Sequence, residues 1–231
     1  MTEIPVPYNM TNDDIIMLLF ILNIIGMSYV ILMNGASIIE RTKGLFYYQG
    51  NATPFNDRTH ITRICNTLLY TQTILYMTII AMNGLLRRGD VTLTENTLQY
   101  TGAFATFFVL ILLLKKAMYK FVNNVLYTKK EALEWDNLYF FTIKLTGFLL
   151  APAVIAILFI PEIAIKYVNI YLLLTATTYI YAVISGLFKI IFAKKRNYLE
   201  IFLYLCALEF LPMAMVWKTV QQLSEFITIK F

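Results

Sequence analysis

Ile74-Leu75-Tyr76-Met77-Thr78-Ile79-Ile80-Ala81-Met82 is the stretch on which the fold turns. A strand of a membrane barrel alternates apolar and polar residues over about ten positions. These nine positions do not alternate. They belong to a longer apolar segment, Ile64–Leu85, which reaches the ~20 residues a helix needs to cross a bilayer. Lipid offers backbone groups no hydrogen bonds, so such a run satisfies its own amides as an α-helix. Working outward, five more segments meet the same test: Ile15–Ile39, Leu98–Met118, Leu138–Ile160, Tyr167–Phe192 and Tyr198–Trp217. The expected fold is all-α, a polytopic six-helix transmembrane bundle that forms a single transmembrane domain over residues 1–231. The connectors are too short to hold a soluble domain.

Composition agrees. The 231 residues are 59% hydrophobic and 14% charged, with a mean hydropathy of +0.65. Soluble domains run at roughly 45–50% apolar and about 25% charged. With 17 Phe and 16 Tyr the chain is not intrinsically disordered. Two Cys and one His cannot build a disulfide scaffold or a zinc module. Cys65 and Cys206 fall on the cytoplasmic halves of spans 2 and 6. A reducing compartment and lipid burial both argue against a disulfide between them.

The first span reads as a retained helix. A secretory signal has a basic start and a short apolar core. Here the start carries Glu3, Asp13 and Asp14, and the apolar run ends in Glu40-Arg41-Thr42-Lys43.

Charge orients the bundle. Lys and Arg concentrate in loops that stay in the cytoplasm. The connectors after spans 1, 3 and 5 hold thirteen: Arg41, Lys43, Arg58 and Arg63; Lys115, Lys116, Lys120, Lys129 and Lys130; Lys189, Lys194, Lys195 and Arg196. The opposite side holds five: Arg87, Arg88, Lys166, Lys218 and Lys230. Both termini are therefore expected outside the cytoplasm. The net charge of +5 needs no nucleic acid to explain it. The basic residues read as a topology signal or as a patch for anionic lipid, and the two are compatible.

The connectors carry some pattern. Gly44-Leu45-Phe46-Tyr47-Tyr48 beside basic residues suits the membrane interface or a docking partner. Lys115–Trp135 is amphipathic and either extends span 3 or lies flat in the interface. Trp135, Tyr139, Tyr167, Tyr171, Tyr198 and Trp217 lie near span ends, as interfacial belts do. His60 falls in a loop. No nucleotide-binding, metalloprotease or serine-hydrolase motif occurs, so no catalytic residue, cofactor or metal site is expected.

Two ionisable residues lie inside spans: Lys144 and Glu209. Such groups cost roughly 2.5–3.5 kcal/mol each on insertion scales and often mark function. Gly147 and Ala151 share the face of Lys144, a small-residue face of the kind that lets helices approach closely. Pro152 and Pro212 interrupt spans 4 and 6. Span 2 offers Gln72, Tyr76 and Asn83 on one face. The arrangement reads as an ion pair, as a neutral carboxyl hydrogen-bonded to span 2, or as a proton or ion relay.

Asn197-Tyr198-Leu199-Glu200-Ile201-Phe202-Leu203-Tyr204-Leu205-Cys206-Ala207-Leu208-Glu209-Phe210-Leu211-Pro212 resembles a family of small inner-membrane proteins from Bacteroidota, catalogued as a domain of unknown function. The signature is Leu-Tyr-Leu-Cys-x-Leu-Glu-x-Leu-Pro, and Ala207 stands where Thr is expected. Arg41-Thr42-Lys43-Gly44-Leu45-Phe46 and the Asn66–Gln72 stretch are similar to the family's first cytoplasmic loop and second helix. The resemblance implies a Gram-negative cytoplasmic membrane, with periplasm on the far side. It implies no reaction, cofactor or partner.

The expected function is that of a non-catalytic subunit of a larger inner-membrane complex, in protein export or envelope assembly, with the lipid bilayer and other membrane subunits as partners. The alternative is a small transporter or channel using Glu209 and Lys144. An intramembrane enzyme acting on lipid would show a cluster of His, Asp or Glu at one membrane face, and the sequence has none.

Overall fold

The computed structural model describes residues 13–46, 60–87, 97–126, 129–192 and 218. They form five long helices: α1 (Asp14–Phe46), α2 (His60–Arg87), α3 (Thr97–Leu126), α4 (Lys129–Phe159) and α5 (Pro161–Phe192). All five are long and apolar enough to cross a membrane. The architecture is that of an all-helical, multi-pass membrane protein. The sixth expected span, Tyr198–Trp217, lies outside the described residues, so the six-helix count rests on sequence.

The helices overrun the apolar segments that announce them. At 30 residues, α3 is about 45 Å long, against a hydrocarbon core of ~30 Å. The amphipathic stretch after Met118 therefore extends the helix and does not lie flat: α3 continues to Leu126 and α4 begins at Lys129. His60 opens α2 and is not in a loop, and Lys166 lies within α5 and not in a connector. The apolar boundary marks where lipid stops, while backbone hydrogen bonding continues into the interface.

Local chemistry explains the ends. Asp13 caps α1, its Oδ1 accepting from the amides of Ile15 (3.0 Å) and Ile16 (3.4 Å). Asp14 adds negative charge in the first turn, where the helix dipole favours it. Between α4 and α5 only Ile160 is non-helical, and its amide still donates to the Ala156 carbonyl at 3.0 Å. Pro161 follows as the first residue of α5, a position with no helical partner for an amide.

Contacts between helices give the topology. Phe20 meets Tyr76, and Gly26 faces Leu68, so α1 and α2 are antiparallel. Thr101 meets Met82 across α3 and α2. Lys115 meets Tyr139, and Tyr139 meets Tyr179. Each helix thus runs opposite to the one before it, and α4 runs parallel to α2. The helix at the centre is α4, packed on α5, α2 and α3. Of its spanning stretch 61% is buried, against 17% for α1 and 11% for α3.

The bundle is polarised along its axis. At one end Ile16, Phe20, Ile79, Met82, Phe104, Val154, Ile157 and Leu158 form an apolar core. At the other, Tyr119, Trp135, Tyr139, Ile143 and Val183 form an aromatic cluster among lysines. Trp135 and Tyr139 are buried in it rather than belted against lipid, whereas Tyr167 is exposed. Large apolar side chains of α1, α3 and α5, among them Leu32, Leu113 and Leu173, face outward.

Candidate functional site

The α2–α4 seam holds a group of buried polar residues, among them Lys144, Gln72 and Thr73. Lys144 lies nine residues after Trp135, about 14 Å along α4, and is 6% exposed. Its Nζ donates to Asn66 Oδ1 at 2.7 Å and lies 5.4 Å from the centre of the Tyr70 ring. Both partners are on α2, one turn apart, on the face that meets α4. A hydrogen bond to a charged group contributes about 1.5–3 kcal/mol, and a desolvated cation–π contact about 2 kcal/mol. Together they are of the size of the ~3 kcal/mol cost of placing a lysine in the membrane.

Gly147 makes the seam possible. A methyl group built there would collide with Thr73 Oγ1 and stand 3.3 Å from the Thr73 Cα. The small-residue face of α4 thus opens onto α2. Ala151, one turn on, packs half-buried against the apolar core. Pro152 is exposed and α4 runs through it.

Gln72, one residue before Thr73, is 1% exposed. Its Nε2 donates a long bond, 3.5 Å, to the Gly147 carbonyl. Among the described residues its Oε1 is buried without a partner, and so is Oδ1 of Asn23 on α1. The Phe20–Tyr76 and Gly26–Leu68 contacts bracket these two amides at matching depth. Asn83 is half-buried near the far end of α2. Lys144, Gln72 and Gly147 therefore share the seam, Ala151 packs on the apolar core, and Asn83 sits three turns from Gln72. Glu209 and Pro212 lie outside the described residues.

Sequence reading missed Asn66, Tyr70 and Thr73 as partners. Their spacing, four then three residues, places them on one helical face. It found the basic residues of the other end but not their partners. There Lys115 Nζ donates to the Tyr139 hydroxyl at 3.3 Å, and the Tyr139 and Tyr179 hydroxyls are 3.2 Å apart. Lys116 lies 5.7 Å from the centre of the Phe140 ring. Asn123 donates to Asp136 at 2.8 Å. Among the described residues, no three His, Cys, Asp or Glu side chains are grouped to hold a metal.

A family model described as "Domain of unknown function (DUF4271)" matches residues 15–220, which is most of the chain. No curated protein and no solved structure matches.

Proposed function

The chain belongs to the DUF4271 family, a domain of unknown function, and from its geometry we propose that it is a non-catalytic integral subunit of a larger bacterial inner-membrane complex, in protein export or envelope assembly. The observation that carries this reading is Lys144. Its ammonium is fastened to Asn66 and Tyr70 of a neighbouring helix, so the costly charge of α4 joins helices. The apolar faces of α1, α3 and α5 offer surface to lipid and to other membrane helices.

Purification of the full chain from its native membrane in mild detergent, with identification of co-purifying chains, tests the reading. Stoichiometric recovery of other integral proteins supports it; recovery of the chain alone overturns it.

Glu209 belongs to the same reading as an assembly residue. A carboxyl in mid-membrane has two inexpensive states, paired with a cation or protonated and hydrogen-bonded. Glu209→Leu is expected to lower abundance and partner recovery, and Glu209→Leu with Lys144→Met to restore part of the loss. Unchanged abundance and recovery in Glu209→Leu would show the assembly role to be wrong.

The transporter reading draws on the oxygens of Gln72 and Asn23, buried acceptors at one depth that have no partner among the described residues. Flux into proteoliposomes that disappears in Glu209→Gln would establish it in place of the subunit reading.

A further inference from the structure

The exposed face of α3 changes character within one turn. Val109, Leu110, Leu113 and Leu114 present apolar side chains outward. Lys116, Ala117, Lys120 and Phe121 continue the exposed stripe. From Leu113 to Lys120 the stripe climbs about 10 Å. A phospholipid has the same order along the bilayer normal: acyl chain, then phosphate. Ala117 leaves room between the two lysines.

A topology signal needs only basic residues near the ends of spans. It does not require their ammonium groups to be placed by aromatic rings of other helices. Here two of them are so placed. Lys116 stands over Phe140 of α4. Lys115 lies 6.0 Å from the rings of both Tyr139 and Tyr179, on α4 and α5, and donates to the Tyr139 hydroxyl. Three helices thus converge on one basic, hydroxyl-bearing corner. Among the described residues, the acidic group in reach is Asp136, which feels Lys116 and Lys120 and accepts from Asn123. Among the described side chains at this corner, Lys115, Lys116 and Lys120 face one carboxylate, that of Asp136.

We propose that this corner is a binding site for the phosphate of an anionic phospholipid in the adjoining leaflet, with Lys116 and Lys120 holding the phosphate and Leu110, Leu113 and Leu114 carrying the acyl chains. The Phe140 ring fixes where the Lys116 ammonium stands, and Lys120 follows one turn on along the exposed stripe. The occupant is a lipid, not a soluble phosphate, because the basic pair continues directly from a lipid-facing apolar stripe.

The chain reports on its own site. It has two tryptophans, and Trp135 packs 6.1 Å from Tyr119 on α3. In a Trp217→Phe background, Trp135 is the sole tryptophan. The full chain is reconstituted in phosphatidylcholine bilayers, and quenching of Trp135 by brominated phosphatidylglycerol is compared with quenching by brominated phosphatidylcholine. A several-fold preference for phosphatidylglycerol is expected, each lysine near a surface being worth about five-fold. Lys116→Gln with Lys120→Gln should bring the ratio close to unity, and Lys116→Arg with Lys120→Arg should preserve it. Lys43→Gln, at an exposed position on α1, should not change it. Equal quenching by the two lipids overturns the proposal. So does a preference that survives the double Gln change, or one that Lys43→Gln lowers equally. Inorganic phosphate that displaces the lipid beyond chloride of the same ionic strength would assign the corner to soluble phosphate and overturn the lipid assignment.

Discussion

At Gly147 the α2–α4 seam leaves no room for a side chain. Thr73 occupies the space a side chain would need, with its Cα 3.3 Å from the position of an added methyl group. Overpacking of this kind costs typically about 1–3 kcal/mol, and a larger side chain pushes α2 off α4 and Asn66 off Lys144. Gly147→Leu is therefore expected to lower both abundance and thermal stability in detergent. Gly147→Ala in a Thr73→Ala background should recover part of the loss that Gly147→Ala causes alone, because the hydroxyl is gone and the close Cα remains. Equal stability of Gly147→Leu and the parent, by thermal aggregation midpoint, would contradict the close approach. The spacing of Lys144, Gly147 and Ala151 was legible in sequence, since three and four residues put side chains on one helical face. Asn66 and Tyr70 were not legible as partners. Which helix lies beside that face is a lateral question, and periodicity along one helix carries no lateral information.

Pro152 tests the helix as an element. Proline has no amide to donate to the Phe148 carbonyl and crowds it, at a cost of about 3 kcal/mol in a helix interior. In membranes, neighbouring groups re-satisfy the freed carbonyl. The helix continues seven residues beyond the proline to Phe159. It is expected to bend there. Because Pro152 is exposed, Pro152→Ala removes no packing and restores a donor. Its expected effect is a thermal midpoint equal to or above the parent's; a large fall would mean that the bend itself holds α4 in its seat. At this scale the sequence located every described helix but not its length. Hydropathy stops at the edge of the lipid, whereas Lys115–Leu126 keeps helical hydrogen bonding and buries Tyr119 and Asn123 against α4.

The whole molecule is an alternating bundle with an apolar end and a basic, aromatic end. Alternation follows from five successive crossings, so the start of α1 and the end of α5 lie on opposite sides of the membrane. The basic end holds Lys115, Lys116 and Lys120, and basic residues near span ends stay in the cytoplasm. The side of the end of α5 is then expected to be cytoplasmic, and a sixth crossing through Tyr198–Trp217, expected from sequence, would return the C-terminus to the far side. Two fusions separate the parts of this argument, each carrying alkaline phosphatase or a reporter that fluoresces only in the cytoplasm. A fusion after Phe192 is expected to fluoresce and to lack phosphatase activity. A fusion at Phe231 is expected to show the reverse. Fluorescence from both would remove the sixth crossing and keep the orientation. Phosphatase activity after Phe192 with fluorescence at Phe231 would invert the orientation and keep six crossings. The two errors leave different patterns because the first changes the number of crossings after α5 and the second changes the side from which all of them start.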